Sequence, residues 1–260
     1  MSNRKYKLND DFFEKIDCEE KAYFLGIIYS DGCLYEKGKN SKTISIKQQE
    51  ERKDIIYKFK KALNSTHNIN IFLHGSKLCY SLLIYSEKMF NDLVDKGLSP
   101  RKSLTINFPT FINKSLMPHF IRGLFDGDGC IWNGKRKKMI VKKENKPNEF
   151  RERIVHNVKI NYTGNKNFVE SLQDYLVENI GINKTKLNFA KAKNNSNNTN
   201  ENVCSMEYCG RGNAKKFYDY MYKSATIFSE EKKAKFDIVC AFDAKASNEP
   251  GLIAGNPLEP

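Results

Sequence analysis

The chain has 260 residues, and its 44 Lys and Arg against 31 Asp and Glu give a net charge of +13. A hydrophobic content of 40%, with 17 Phe and 13 Tyr, is enough to form a buried core, which excludes a chain that is disordered throughout. No apolar run approaches the ~18 residues of a membrane span, and residues 1–11 contain no apolar secretion signal. We therefore expect an intracellular protein whose positive charge favours a polyanionic partner.

The cysteines agree with an intracellular location. Their number, seven, is odd, and no two of them have the C-x2-C spacing that is typical of a zinc site. We interpret them as reduced thiols. The body of the chain is rich in Lys, Asn and Ile, which suits the AT-rich genome of a phage, a bacterium or an organelle, and hence the cytoplasm or an organelle as the site of action.

Hydrophobic periodicity predicts two similar halves. The elements predicted for the first half are a helix at 20–32 that ends at Gly32, strands at 33–35 and 43–48, an amphipathic helix at 50–63, a hairpin of 69–73 and 79–85, and a helix at 87–96. The same order begins again with a helix at 117–129, strands at 130–132 and 158–162, a helix at 167–180, a hairpin of 186–192 and 203–208, and a helix at 214–222. The sequence therefore predicts an α+β fold of two pseudo-symmetric αββαββα repeats.

The repeat suggests a division of the chain. Gly123 follows its match Gly26 by 97 residues, and the offset between matched residues becomes larger further along the second copy. We assign these extra residues to polar loops at 133–153 and 193–202. The last residues contain three prolines and no aromatic residue, as in a disordered tail. The expected parts are an N-terminal arm at 1–19, repeat 1 at 20–105, repeat 2 with insertions and a basic C-terminal segment at 106–243, and the tail at 244–260.

The first helix of each repeat has two small residues four positions apart, Gly26 and Ser30 in one and Gly123 and Gly127 in the other. Residues at i and i+4 share a helix face, so each helix has a smooth stripe that another backbone can approach closely. Glycine in a helix lowers its stability by about 1 kcal/mol relative to alanine, so two matched stripes indicate that the small residues have a role in the protein. The helices are predicted to pack on each other with their C-terminal ends together.

This packing brings two carboxylates close to each other. Asp31 and Asp128 stand directly before the glycine that ends each helix. At a helix C-terminus a carboxylate is disfavoured by the helix dipole, and two of them repel each other, whereas a divalent cation between them removes both penalties. Oxygen ligands with open water positions suit Mg²⁺, and a metal between carboxylates beside a basic surface suits phosphodiester hydrolysis. For either copy alone, an Asp-Gly turn after a core helix is the simpler interpretation.

The aligned segments 24–32 and 121–129 resemble the paired LAGLIDADG motifs of homing endonucleases, in the monomeric type with two motifs. The resemblance covers about 20–240 and implies a saddle of two sheets on double-stranded DNA with a long pseudo-palindromic target. It implies Mg²⁺, or Mn²⁺, with Ca²⁺ as a substitute that does not support cleavage. It also implies cleavage of both strands to leave short 3′ overhangs. The metal site that it implies comprises Asp31, Asp128, Gly32 and Gly129.

The resemblance further implies basic or polar residues that order water near the metal. Gln49 at the end of the second strand fits such a position, as do Lys102 and Lys233, or Lys232 beside it, after the last helix of each repeat. Any single surface lysine in so basic a protein is equally a solvated charge.

Polar side chains on the open face of each sheet are candidates for contacting DNA. Outward positions of the two second strands are Ser45, Lys47 and Gln49 in one repeat and Lys159, Asn161 and Thr163 in the other. The densest basic segment, expected along the phosphates unless it is an exposed solubilising loop, includes Lys135, Arg136, Lys137 and Lys138.

The sequence thus predicts a monomeric, Mg²⁺-dependent, site-specific double-strand DNA endonuclease with one motif Asp in each half. An RNA-binding maturase on the same fold, with intron RNA as its partner, is an alternative. A non-catalytic DNA-binding regulator is another, although both motif carboxylates are present, which argues against it.

Overall fold

The computed structural model describes residues 5–36, 41–102, 105–143, 146–191 and 199–246. The first repeat consists of α1 (Glu19–Asp31), β1 (Gly32–Glu36), β2 (Lys42–Gln49), a short 3-10 helix (Glu50–Arg52), α2 (Lys53–Ala62), β3 (Ile69–His74), β4 (Lys77–Tyr85) and α3 (Glu87–Asp95). The second consists of α4 (Met117–Gly127), β5 (Cys130–Lys143), β6 (Lys146–Asn165), α5 (Lys166–Ile180), β7 (Asn188–Lys191), β8 (Thr199–Cys209) and α6 (Arg211–Tyr222). A further helix, α7 (Glu230–Ala246), follows.

Each repeat forms one antiparallel four-stranded sheet. The strand orders are β1-β2-β4-β3 and β5-β6-β8-β7, so the two sheets have the same topology. In β2, Ile44 and Ile46 alternate toward the buried side, where α2 and α3 cover the sheet. The predicted α+β fold with two αββαββα repeats is confirmed, and no described helix is long and apolar enough to cross a membrane.

The strand pairing gives an exact correspondence between the repeats. Cys33 of β1 lies opposite Ser45, and its match Cys130 of β5 lies opposite Asn161. Ser45 therefore corresponds to Asn161, and three residues further along the same strands Gln48 corresponds to Gly164.

The two motif helices α1 and α4 pack directly on each other through glycine. A Cβ atom placed on Gly26 would lie 2.2 Å from the carbonyl oxygen of Phe120, and one on Gly123 would lie 2.1 Å from that of Tyr23. One turn further on, a Cβ on Gly127 would lie 1.9 Å from Ser30 Oγ. The small-residue stripes predicted from the sequence are thus the contact surface between the repeats.

Gly32 ends α1 as predicted, in an extended conformation with φ −76°, and glycine is needed there because a Cβ would lie 2.6 Å from the Ile28 carbonyl oxygen. Three other expectations differ from the structure. The segment at 133–153, expected as a loop, instead extends β5 and β6. Residues 244–246 of the expected tail belong to α7, and 247–260 lie outside the described residues. Of the loop expected at 193–202, residues 199–202 belong to β8 and the others lie outside the described residues.

Candidate active site at the helix interface

The C-terminal ends of α1 and α4 meet between the two sheets and place two carboxylates there. Asp31 is the last residue of α1, and Asp128 directly follows α4. The Cβ position of Gly127 lies 3.0 Å from Asp31 Oδ2, so the Asp31 carboxylate lies against the end of the opposite helix. The predicted convergence of the two helix ends therefore occurs in the structure.

The electrostatic environment of both carboxylates opposes ionisation. Asp128 is open to solvent on one side. Its pKa is nevertheless raised to about 6, mainly because the protein removes water from its other sides and secondly because of the negative charge of Asp31. Desolvation also raises the pKa of Asp31, although Gln48, Arg52 and lysines nearby counteract this effect. A pair of carboxylates held in this way favours a bound cation.

Gln48, not the predicted Gln49, is the side chain that contacts Asp31. Its Nε2 donates a hydrogen bond of 2.6 Å to Asp31 Oδ2. Gln48 reaches the carboxylate because the end of α1 lies over the helix-covered face of the sheet, which Gln48 shares with Ile44 and Ile46. Gln49 points to the open face, where its Oε1 accepts a hydrogen bond from Lys77.

A lysine lies beside each motif in equivalent positions. The Lys102 ammonium donates to the carbonyl oxygen of Ser30 at 2.9 Å and to that of Gly32 at 2.7 Å, and Lys232 donates to the carbonyl oxygen of Gly129. Desolvation lowers the pKa of both ammonium groups. Each lysine thus neutralises the negative end of a motif helix and sits close to the carboxylates.

The structure corrects the choice of Lys233 as the second lysine. Lys233 forms an ion pair of 2.8 Å with Asp237 one turn along α7 and lies over the ring of Phe228. Neighbouring residues on a helix point about 100° apart, so only one of the two lysines can face Gly129. That residue is Lys232.

Arg52 is a site residue that the sequence analysis did not identify. Its guanidinium donates to the carbonyl oxygens of Asp126 and Gly127 at 3.2 and 2.7 Å and lies 3.9 Å from Asp31 Oδ2. It therefore connects the first repeat to the end of α4. In the sequence, the position of Arg52 is marked only by its spacing of four residues from Gln48. This spacing is indistinguishable from the start of an ordinary amphipathic helix.

The two halves of the site differ in their side chains. The position of Gln48 in the first repeat is taken by Gly164 in the second, which has no side chain to hold Asp128. Arg52 lies 3.9 Å from Asp31 Oδ2, although its hydrogen bonds go to the carbonyl oxygens at the end of α4. The Asp31 half is therefore supported by more polar groups than the Asp128 half.

A buried polar network lies behind the site. Asp126, which has no exposed surface, accepts hydrogen bonds from the hydroxyls of Tyr23 and Tyr222 at 2.9 and 2.5 Å and from the Ser229 amide at 2.7 Å. Desolvation raises the pKa of Asp126 to about 6. Although Asp126 belongs to the motif, its contacts anchor the segment before α7 to α1 and α4. The Asp126 carboxylate therefore does not join the carboxylates of Asp31 and Asp128.

Arg122 extends this network and predicts a large stability effect. Its guanidinium is fully buried and donates to Glu19 Oε1 at 2.7 Å and to the carbonyl oxygens of Met221 and Ile227 at 2.6 and 2.8 Å. Arg122→Met leaves these acceptors without their donor, so we expect a loss of about 3–5 kcal/mol in the free energy of unfolding, measured by urea denaturation.

Lys184→Met provides the control for this prediction, because Lys184 pairs with Asp174 on the exposed surface. We expect no measurable change for that variant, since exposed pairs contribute little. Equal stability of the two variants would contradict a structural role for Arg122.

The donor set of the site fits a hard divalent cation. The described residues contain no cluster of three or more His, Cys, Asp or Glu side chains, so protein carboxylates would supply only part of a coordination shell. Mg²⁺ accepts such a site, since it commonly keeps several waters and binds one or two carboxylates together with substrate phosphate. The carbonyl oxygens of Gly32 and Gly129, predicted near the metal, accept hydrogen bonds from Lys102 and Lys232.

The residues predicted to contact DNA are divided by the structure. Lys47 and Thr163 are exposed on the open faces of the sheets, and Asn161 is half-buried. Ser45 is buried, with 3% exposure, so it is not presented outward as expected. Lys159 forms an ion pair of 2.8 Å with Glu207. Lys135 and Lys137 are exposed on β5, whereas the side chains of Arg136 and Lys138 lie outside the described part.

Residues 116–222 match a family model described as a LAGLIDADG-like domain. No curated protein matches the chain in sequence.

Solved structures resemble the chain over most of its length. The LAGLIDADG meganuclease I-AabMI, bound to uncleaved DNA, is 15% identical with a TM-score of 0.52, over 86% of this chain and 91% of that chain. The I-LtrWI LAGLIDADG homing endonuclease, bound to target DNA, is 11% identical with a TM-score of 0.55, over 92% of each chain. The meganuclease I-SmaMI, bound to uncleavable DNA, is 11% identical with a TM-score of 0.55, over 87% and 91%. Residues 116–222 thus match the model of a LAGLIDADG-like domain, and the chain has the two-repeat fold of the LAGLIDADG meganucleases, which confirms the resemblance that its sequence indicates.

Proposed function

We propose that this chain is a site-specific DNA endonuclease that hydrolyses one phosphodiester in each strand of a double-stranded target. The observation that carries the proposal is the juxtaposition of Asp31 and Asp128 at the ends of two glycine-packed helices, with Lys102 and Lys232 in matched positions beside them. Because one chain supplies both halves, it acts as a monomer.

In this proposal Asp31 and Asp128 hold Mg²⁺ or Mn²⁺ against the DNA backbone. A divalent cation held there would supply Lewis-acid chemistry, polarising a phosphodiester oxygen and making water a better nucleophile. Gln48 fixes the orientation of Asp31 through Nε2. Its Oε1 is buried without a hydrogen-bond partner among the described residues and is therefore available to accept a hydrogen bond from a water at the site.

The two lysines supply positive charge where negative charge develops. The Lys102 and Lys232 ammonium groups are held by backbone carbonyls, so they need little reorganisation during the reaction. Around the site, Lys47 and Thr163 on the open faces of the sheets, together with the exposed Lys135 of β5, provide donors for phosphate and base edges. A regulator that only binds DNA would share the fold but would have no use for the paired carboxylates.

Asp31→Asn and Asp128→Asn test the proposal. Each variant keeps the shape of the side chain but weakens cation binding, so we expect linearisation of a randomised-site plasmid library with Mg²⁺ to fall to nicking or to nothing. Binding to the selected site in Ca²⁺ should persist, and the melting temperature without metal should not decrease, because Asn removes the repulsion between the carboxylates.

Asp174→Asn is the matched control, since Asp174 lies exposed on α5 and pairs only with Lys184 among the contacts that the described residues show. It should cleave like the unaltered chain. Cleavage by Asp128→Asn at the normal rate, or a chain that binds its site and never cuts it, would exclude the proposed mechanism.

A further inference from the structure

The strands that follow the two motifs begin with the same pattern, cysteine, aliphatic residue and aromatic residue. In β1 the residues after Gly32 are Cys33-Leu34-Tyr35, and β5 begins with Cys130-Ile131-Trp132, at an offset of 97 residues. In both strands the aliphatic residue is buried, and the aromatic residue is half exposed, with 47% for Tyr35 and 44% for Trp132. Two large aromatic side chains therefore stand at pseudo-symmetric positions on the open faces of the sheets.

The absence of a side chain at Gly134 leaves space for the ring of Trp132. A Cβ atom on Gly134 would lie 2.3 Å from the six-membered ring, so only glycine lets the indole lie over the strand at this point. Trp132 also lines an open cavity of about 420 Å³ together with Lys135, Asn157 and Lys159. The ring thus offers an apolar surface in a basic, solvent-facing recess.

The distance from the motif carboxylates follows from strand geometry. Three strand residues lead from Gly129 to Trp132, and three lead from Gly32 to Tyr35, which is about 10 Å at ~3.3 Å per residue. We take both strands to run outward along the DNA, where this length spans about three base pairs at ~3.4 Å per step. The two aromatic side chains would therefore meet bases at equal distances outward from the two cut phosphates.

We propose that Tyr35 and Trp132 are matched specificity-determining residues that each recognise the 5-methyl group of a thymine, about three base pairs outward from the cut in each half-site. This inference rests on the proposed function. An uncharged ring cannot neutralise a phosphate, whereas thymine presents an apolar methyl group in the major groove. In this proposal Lys135, next to the indole, contacts the phosphates of the DNA backbone, and the ring contacts the base.

The test uses the target selected by cleavage from a randomised library. Trp132→Ala should remove the thymine preference in one half-site and leave the other unchanged, and Tyr35→Ala should do the reverse. Tyr57→Ala is the control, because Tyr57 is similarly exposed, at 49%, but lies on α2, with its ring tilted against that of Tyr80. Its base preferences should equal those of the unaltered chain.

A second measurement needs no variant. Replacing the thymine by deoxyuridine removes only the methyl group, and we expect affinity in Ca²⁺ to fall about fourfold, the effect of exposing one methyl group to water. The same replacement should have no effect on Trp132→Ala in its half-site. Trp132 is the single tryptophan of the chain, so its fluorescence should also change when the target is bound.

The outcomes separate the inference from the function on which it rests. If the chain cuts its target but both alanine variants keep the same base preferences and deoxyuridine is neutral, the aromatic pair has no role in recognition and the endonuclease assignment stands. Loss of stability in Trp132→Ala with unchanged preferences would show that the ring only packs against Ile238 of α7, beside which it also lies. A chain that neither binds nor cuts DNA would overturn both proposals.

Discussion

Replacing Gly123 by alanine is expected to unfold a large part of the chain or to lower its free energy of unfolding by at least ~3 kcal/mol. The added Cβ would lie 2.1 Å from the Tyr23 carbonyl oxygen and 3.0 Å from the Gly26 Cα, which are main-chain atoms of the opposite helix. Relief requires the two motif helices to move apart, and overpacking of this kind is at the upper end of the usual cost. Urea denaturation followed by circular dichroism measures the loss.

Gly212→Ala is the control for this prediction. Gly212 also lies in a helix, α6, but no atom lies within 4 Å of the position its Cβ would take. Alanine is a better helix former, so this variant should be as stable as the unaltered chain or up to about 1 kcal/mol more stable. Similar behaviour of the two alanine variants would show that the helices do not meet at Gly123.

Lys102→Met and Lys232→Met are expected to reduce the rate of DNA cleavage by about 10²–10³-fold each, the usual effect of losing one preorganised donor at a reacting group. Methionine keeps most of the length of the side chain and removes its charge. The rate at saturating protein, measured on the selected target, should fall while affinity in Ca²⁺ changes much less, because neither ammonium lies on the open faces of the sheets.

Lys233→Met is the matched control, since it removes the same charge from the next residue of α7. Lys233 pairs with Asp237 and does not contact the motif glycine, so cleavage should stay within about twofold of the unaltered rate. A large loss in Lys233→Met together with normal cleavage by Lys232→Met would restore the assignment made from the sequence and contradict the geometry.

The fold and the pairing of the carboxylates could be predicted from the sequence because they depend on periodic features. Apolar spacing marked most of the helices and strands of both repeats, and the matched small residues marked the helix contact at Gly26 and Gly123. The basic insert differs from the predicted loop, since its charged residues mask the alternation of a long hairpin that extends β5 and β6.

Single residues of the site were less predictable. Gln48 instead of Gln49, and Lys232 instead of Lys233, differ from the predictions by one position. A one-residue shift reverses the face of a strand and rotates a helical residue by about 100°. Arg52 and the Asp126–Arg122 network depend on contacts between segments that are far apart in sequence, such as 52 with 127 and 122 with 227. Such contacts leave no local pattern.

The glycine contact between α1 and α4 also limits how the two halves can diverge. A clash between side chains can be relieved by a second substitution in the partner, but the atoms that a Cβ on Gly26 or Gly123 would meet are carbonyl oxygens, which every residue possesses. No second-site suppressor on the opposite helix can therefore rescue a substitution there by changing a side chain. The side chains on the two sheets can change independently of each other. The glycines of the helix pair, which sets the separation of Asp31 and Asp128, cannot be replaced with a compensating side-chain change in the partner helix.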